Sequence, residues 1–255
     1  MKFFLIILLL ICAPLKAEEG FKNIQIGRGD AYLPTYVMEN PKATATIILL
    51  PGGDSGTLID TNGKPTSPNF LVRSREFFFR ENFNVLIVFR ASDMNKLEYE
   101  YRVSKEHMDE LKYVLNYAKE KFKKPIWLVG TSRGTVSGTA ASIALKEQKL
   151  ISGLVLTSSV TNRVTGAIAT QKLSEITIPV LVVHHKMDGC KTCALSEARE
   201  INNYLTSSPV KKFIMVEGGS NPTGDYCQAL HWHGFINYEQ ETTKMITDWI
   251  KKPQI

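Results

Sequence analysis

Three side chains in this sequence are of the kinds that together activate a hydroxyl group for attack on a carbonyl carbon. Ser132 lies in the pentapeptide GTSRG, Asp188 follows the apolar run PVLVVHH, and His233 stands in the tripeptide HGF. A serine hydroxyl is a weak nucleophile until a histidine removes its proton, and a carboxylate orients that histidine. These three residue types together therefore predict acyl-transfer chemistry.

The surroundings of Ser132 predict a sharp turn between a strand and a helix. The apolar run 125–129 precedes the serine, and a stretch of small residues, 135–141, follows it. Gly130 and Gly134 flank the serine, as expected where a strained turn leaves no room for side chains. The helix that begins there favours negative charge at its N-terminus. A plain strand-to-helix turn without chemistry is the alternative interpretation.

The carboxylate that should orient the histidine is predicted to be Asp188, because it lies just beyond a late strand. The alternative is a turn aspartate, since Asp188 precedes a glycine. Asp54, Asp93 and Asp225 are rival carboxylates. Asp54 and Asp93 follow strands that precede Ser132, so they fit the expected chain order less well.

Five histidines compete for the role of base. His233 is preferred, because it lies just before the last predicted helix and Gly234 lets the chain turn beside its ring. His231 is its main rival. His107 lies on a helix and is predicted to be structural. His184 and His185 end a buried strand, where one of them is expected to pack and the other to hydrogen-bond near the site.

The pattern along the chain alternates apolar strand-like runs with amphipathic stretches, which indicates a largely parallel sheet covered by helices on both faces. Ligands bind at the carboxyl ends of the strands in such sheets. The predicted strands are 22–26, 31–38, 43–50, 84–89, 125–129, 150–157, 179–184 and 212–216, and the predicted helices are 70–80, 101–123, the stretch after Ser132, 195–205 and 237–251.

Length and charge narrow the class of protein. The chain has 255 residues, is 44% hydrophobic and carries a formal net charge of +6. This size suits one α/β domain, and the mild charge without a basic, aromatic-rich cluster argues against a nucleic-acid partner. Residues 1–17 read as a signal peptide, because Lys2 precedes an apolar run too short for a membrane span and Ala17 suits cleavage. We therefore expect a domain over 18–255 that is periplasmic or secreted, with no stable membrane insertion after cleavage. An uncleaved N-terminal anchor is the alternative.

In these features the sequence resembles the α/β-hydrolase superfamily, and more narrowly the small exported hydrolases related to dienelactone hydrolase. The likeness rests on GTSRG after a strand, the acid in VVHHKMDG and HGF before the closing helix. It implies an α/β-hydrolase fold with a mostly parallel sheet of about eight strands. Once the predicted strands and helices are assigned, 158–178 is the only segment left between Ser132 and His233 that could form an insertion, and it is too short for a large cap domain. Ser132 departs from dienelactone hydrolase, which has cysteine there, so that enzyme's substrate is not expected to carry over.

The resemblance also implies a mechanism. Ser132 attacks an acyl carbonyl, His233 takes the proton and Asp188 orients His233. Two backbone N–H groups would hold the oxyanion: that of Arg133, and one from the loop after the third strand, from Gly53 or, alternatively, Asp54. The side chain of Arg133 would form a salt bridge with an acid such as Asp54 or Asp93, or bind a substrate carboxylate.

The mature chain keeps three cysteines, and a disulfide is reasonable outside the cytosol. If the acid and base loops meet, Cys190–Cys227 is the preferred pair and Cys193–Cys227 the second. The stretch CKTC also has the local look of a redox motif, which leaves thiol–disulfide exchange as an alternative function. No second paired-ligand motif accompanies these cysteines, so no metal site is predicted.

Taken together, the residues predict an exported serine hydrolase of the carboxylesterase kind that cleaves an ester or related acyl bond of a small molecule without a cofactor. A small-peptide or amide substrate is the nearest variant. A non-catalytic binding protein on the same fold is a further alternative, because a fold does not fix a function.

Overall fold

Eight strands form one sheet in the computed structural model, which describes residues 17–254. The third, fifth, sixth and seventh strands along the chain are buried along their whole length, as expected for parallel strands with helices on both faces of the sheet. The strands are β1 (Glu19–Gln25), β2 (Tyr32–Met38), β3 (Ala45–Leu50), β4 (Phe83–Val88), β5 (Ile126–Thr131), β6 (Gly153–Thr157), β7 (Val180–His185) and β8 (Lys211–Val216).

The strand order is β1-β2-β4-β3-β5-β6-β7-β8. The first two strands pair antiparallel with each other, and β2 pairs antiparallel with β4. All pairs from β4 onwards are parallel. The carboxyl ends of β3, β5, β7 and β8 therefore lie along one edge, and the loops that leave them form the site described below.

Helices cover both faces of this sheet. The residues of α4, α5 and α6 join one hydrophobic cluster, and those of α1, α2 and α7 join the other. The helices are α1 (Phe70–Arg73), α2 (Arg75–Arg80), α3 (Tyr99–Arg102), α4 (Lys105–Phe122), α5 (Arg133–Ala144), α6 (Leu195–Tyr204) and α7 (Glu239–Lys251).

Two helices differ from the sequence-based expectation. The helix expected over 70–80 is divided at Ser74, whose N–H bonds to the Phe70 carbonyl and closes α1. The helix expected over 101–123 begins at Lys105, because the Ser104 hydroxyl caps it by accepting the N–H of His107. A separate turn of helix, α3, precedes it and ends at the buried Arg102.

The segment between β6 and β7 contains two short 3₁₀ turns, Ile168–Thr170 and Leu173–Glu175, and no cap domain. Within residues 17–254, the site at the strand ends is therefore bordered by loops and by the short helix α1, without a cap domain above it. Among residues 17–254, no helix is long and apolar enough to cross a membrane. The predicted signal peptide, 1–17, lies outside the described residues except for Ala17.

Candidate active site

Ser132 lies on a sharp turn between β5 and α5. Its backbone has φ 50° and ψ −125°, a conformation that costs energy for a residue with a side chain. The flanking glycines are required by close approach: a Cβ on Gly134 would lie 1.9 Å from the Leu50 carbonyl oxygen, and one on Gly130 would lie 2.6 Å from that of Gly134. The turn therefore has the geometry of a nucleophile elbow, and it presents the half-buried Ser132 to a cleft.

Asp188 and His233 form a buried pair at the same edge of the sheet. His233 Nδ1 lies 2.9 Å from Asp188 Oδ2, and the N–H of Cys190 donates to Asp188 Oδ1 at 2.9 Å. His184 Nε2 lies 3.3 Å from the same Oδ2. Burial by itself would raise the pKa of Asp188, but the contacts with His184 and His233 outweigh it and hold that pKa well below its usual range. The carboxylate is therefore ionised and able to hold the His233 ring.

The other nitrogen of this ring is available for chemistry. His233 Nε2 is buried and makes no hydrogen bond to any group of residues 17–254, Ser132 included. The backbone beside the ring is fixed: the Ser158 hydroxyl donates to the His233 carbonyl at 2.7 Å, and Arg73 donates to the Gly234 carbonyl. Hydrogen bonds between base and nucleophile often tighten only when substrate binds.

The rival side chains lie in other environments. His231 packs edge-on against Tyr226 and Trp232, and neither of its ring nitrogens contacts a carboxylate within the described residues. The rival carboxylates each bond elsewhere: Asp54 to Arg133, Asp93 to Arg28, and Asp225 to the N–H of Cys227.

Backbone N–H groups line the cleft beside Ser132. The cleft has a volume of about 420 Å³ and is lined by Ser132, His233, Gly53 and Asp54, among others. Neither the N–H of Gly53 nor that of Asp54 donates to an acceptor within residues 17–254. The N–H of Arg133 opens α5, where the first N–H groups lack helical partners. The Arg133 guanidinium contacts Asp54 at 3.2 Å and lies over the Tyr99 ring.

Comparisons of sequence give no match: no protein-family profile matches this chain, and no curated protein matches it significantly. Comparisons of structure give many. Dienelactone hydrolase from Anabaena variabilis superimposes with a TM-score of 0.61 at 12% identity, over 92% of this chain and 97% of that one. The Pyrococcus furiosus esterase Pf2001 superimposes with a TM-score of 0.63 at 13% identity, over 93% of this chain and 92% of that one. A protein from Thermoplasma acidophilum described as a predicted CIB-like hydrolase superimposes with a TM-score of 0.61 at 14% identity, over 92% of this chain and 99% of that one. The chain has the α/β-hydrolase fold.

On this α/β-hydrolase fold, a disulfide joins the loop that carries Asp188 to the loop that carries His233. Cys190 and Cys227 are bonded, as the preferred pairing predicted, and they close a ring over a sequence separation of 37. The third cysteine, Cys193, is a buried free thiol. Cys190, Cys193 and His233 each place one possible metal-ligating atom within 4.8 Å of the other two. Cys190 Sγ forms the disulfide, however, and cannot bind a metal as a thiolate.

Cys193 lies beside the Ser132 hydroxyl. Burial raises the pKa of the Cys193 thiol to about 12, and the charge of Asp188 adds to the rise, while contacts with the Thr192 and Ser132 hydroxyls oppose it. The thiol is therefore neutral at physiological pH, which makes it a poor nucleophile for disulfide exchange.

Removal of the disulfide should destabilise this α/β-hydrolase fold. We expect Cys227→Ser to lower the free energy of unfolding by about 4 kcal/mol, because the open chain gains conformational freedom when a loop of this length is released. Urea unfolding followed by circular dichroism measures the change. Cys193→Ala serves as the control, with an expected loss of about 1 kcal/mol. Equal losses in the two variants would contradict the stabilising role of the bridge.

Two adjacent glycines of the loop after β3 should respond differently to alanine. A Cβ on Gly52 would lie 2.8 Å from Ser132 Cβ, whereas one on Gly53 would meet nothing within 4 Å. We expect Gly52→Ala to lower kcat/KM for ester hydrolysis by about 10²-fold, because it displaces the nucleophile. Gly53 has φ +59°, so Gly53→Ala should instead cost about 1 kcal/mol of stability through strain. Full activity of Gly52→Ala would contradict the expectation that the added methyl group displaces Ser132.

Sequence reasoning missed three residues that surround the site. His184 contacts Asp188, Arg73 holds the backbone beside His233, and Arg102 bonds the loop at Gly53. The sequence predicts that one of His184 and His185 forms a hydrogen bond near the site without naming its partner, and the position of His184 four residues before Asp188 is the available signal. Nothing in the local sequence distinguishes Arg73 or Arg102 from a surface arginine.

Proposed function

We propose that this protein is an exported serine hydrolase of the carboxylesterase kind, which cleaves an ester or related acyl bond through an acyl-enzyme. The observation that carries the proposal is the Asp188–His233 hydrogen bond of 2.9 Å, whose histidine lines the same cleft as Ser132. The α/β-hydrolase fold adds support, since an esterase and dienelactone hydrolase share it.

In the proposed reaction Ser132 Oγ attacks the acyl carbonyl while His233 Nε2 takes its proton. The charge that develops on the carbonyl oxygen is held by the N–H of Arg133 and by one from Gly53 or Asp54. The imidazolium then gives the proton to the leaving alcohol, and water releases the acyl group by the same route. Asp188 stabilises the imidazolium and keeps Nε2 directed at the cleft. No step uses a cofactor.

The substrate we propose is a small molecule. The cleft of about 420 Å³ has polar and apolar walls, with Phe70, Val72 and Phe89 among the apolar residues and Arg90 among the polar ones. No cap encloses it within residues 17–254, so an acyl chain can extend towards solvent. Amide or small-peptide cleavage would use the same groups, and a series of matched esters and amides separates the two.

A fluorophosphonate probe tests the proposal, because it reacts with an activated serine and remains attached. Labelling of the wild type, with loss of labelling in Ser132→Ala, is the expected result. Mass spectrometry of the labelled peptide locates the modified residue. A folded wild type that takes up no probe would contradict the hydrolase and favour a binding protein on the same fold.

Export to the periplasm or the medium is proposed from residues 1–17, with a mature domain over 18–255. N-terminal sequencing of the mature protein is expected to begin at Glu18. The disulfide between Cys190 and Cys227 supports an oxidising compartment.

A further inference from the structure

A buried arginine lies behind the loop that follows β3. The Arg102 side chain is about 1% exposed. Its Nη2 donates to the Gly53 carbonyl at 2.8 Å and to the Ser55 hydroxyl at 3.2 Å. Nη1 donates to the Ser137 hydroxyl at 3.1 Å, and Nε donates to the Leu97 carbonyl at 3.3 Å. The guanidinium is thus surrounded by uncharged acceptors from three segments of the chain.

No carboxylate neutralises this charge directly. The arginine ion pairs within residues 17–254 belong to other arginines, such as Arg28, Arg73 and Arg133. Burial lowers the pKa of Arg102 to about 9, and the positive charge of Arg133 adds to the fall, so Arg102 remains cationic at neutral pH. A buried charge without an ionic partner is costly for stability, which makes a role beyond packing the better explanation.

The contact with Gly53 fixes the direction of a backbone N–H. No peptide bond within residues 17–254 is cis, and in a trans peptide the C=O and the next N–H point in opposite directions. The Gly53 carbonyl points to Arg102, so the N–H of Asp54 points away from it. Gly53 and Asp54 both line the cleft, whereas Arg102 does not. The Asp54 N–H therefore points away from Arg102, and the residue that carries it lines the same cleft as Ser132.

We propose that Arg102 is a positioning residue that locks the Gly53–Asp54 peptide, so that the N–H of Asp54, together with that of Arg133, binds the oxyanion. This inference rests on the proposed hydrolase function. It selects Asp54 over Gly53 as the second donor. The positive charge behind the peptide also polarises it in the direction that strengthens the N–H towards negative charge.

A continuous set of hydrogen bonds leads from Ser137, which contacts Arg102, to the surface of the protein. Ser137 Oγ lies 3.0 Å from His107 Nε2, and His107 Nδ1 lies 3.0 Å from Glu110 Oε2. Arg28, half-exposed at the outer end, donates to Glu110 Oε1 at 2.8 Å. Arg28 pairs with Asp93 and Glu110 and makes no hydrogen bond to Arg102 or to the loop at Gly53 within residues 17–254, so it provides a matched arginine control.

The test compares Arg102→Met, Arg102→Lys and Arg28→Met in the full-length mature protein. Ester hydrolysis gives kcat and KM, and a trifluoromethyl ketone, whose tetrahedral adduct carries an oxyanion, gives a transition-state affinity. We expect Arg102→Met to lower kcat about 10²-fold with KM nearly unchanged, and to weaken the ketone in parallel. Arg102→Lys should recover about tenfold of this loss, because it restores the charge and one donor. Arg28→Met should stay within about twofold of the wild type.

The outcomes separate this inference from the proposed function. A wild type that hydrolyses esters and takes up the fluorophosphonate, combined with Arg102 variants that match Arg28→Met in kcat and ketone affinity, overturns only the role of Arg102. A wild type without either activity overturns both. If Arg102→Met does not fold, Arg102→Lys decides: wild-type kcat and ketone affinity contradict the lock, and a parallel loss of both supports it.

Discussion

Replacement of His233 with alanine should lower kcat for ester hydrolysis by about 10⁶-fold, close to the effect of removing the whole set of reacting groups. His233 carries the proposed base: its Nε2 is buried and unpaired within residues 17–254, and the residue lines the same cleft as Ser132, so removal of the imidazole removes the group that is expected to take the Ser132 proton. Stopped assays at high enzyme concentration, with Ser132→Ala as the baseline, measure the residual rate.

His231→Ala is the matched control for this measurement. His231 is two residues away and also buried, but its ring packs against Tyr226 and Trp232 and does not contact Asp188. We expect a loss of stability of about 1–2 kcal/mol and a change in kcat of less than about tenfold. The opposite ranking, with His231→Ala the more damaging to kcat, would transfer the role of base to His231.

The second large effect is expected for Asp188→Asn, which should lower kcat by about 10⁴-fold while leaving the fold intact. An asparagine amide can no longer stabilise the imidazolium, and it favours the tautomer of His233 that directs a proton rather than a lone pair at Ser132. The labelling rate with fluorophosphonate should fall in the same proportion.

Asp54→Asn is the control for Asp188→Asn, because Asp54 is a carboxylate near the cleft that pairs with Arg133 rather than with a histidine. We expect a change of less than about tenfold in kcat, since the Asp54 backbone N–H is retained. A loss in Asp54→Asn as large as that in Asp188→Asn would show that the carboxylate has been assigned to the wrong residue.

The sequence was sufficient to predict the fold because several of its central strands are continuous apolar runs, rich in Val, Ile and Leu, that alternate with amphipathic stretches. Runs such as ATIILL in β3 and VLVVHH in β7 strongly favour a buried strand over other secondary structures. The boundaries were less predictable. The helix expected over 70–80 is divided because the Ser74 N–H donates to the Phe70 carbonyl, and α4 begins at Lys105 because the Ser104 hydroxyl accepts the His107 N–H. Whether such capping hydrogen bonds form depends on three-dimensional packing.

The residues of the candidate site could be predicted from the sequence only in part. Ser132, Asp188 and His233 could be proposed because their types and order are tied to one chemistry, and the Cys190–Cys227 pair because it joins two loops of that site. Arg102 could not, because a guanidinium that donates to backbone carbonyls from distant segments has no sequence pattern of its own.

The covalent ring between Cys190 and Cys227 has a consequence for recovery after denaturation. It contains α6 and β8, and its two closing residues lie close in sequence to the proposed acid and base. A heat-unfolded chain that keeps this bond intact still holds those two segments near each other, so renaturation begins with part of the catalytic geometry already confined. Activity should therefore return sooner after heating under oxidising conditions than after heating with a reductant.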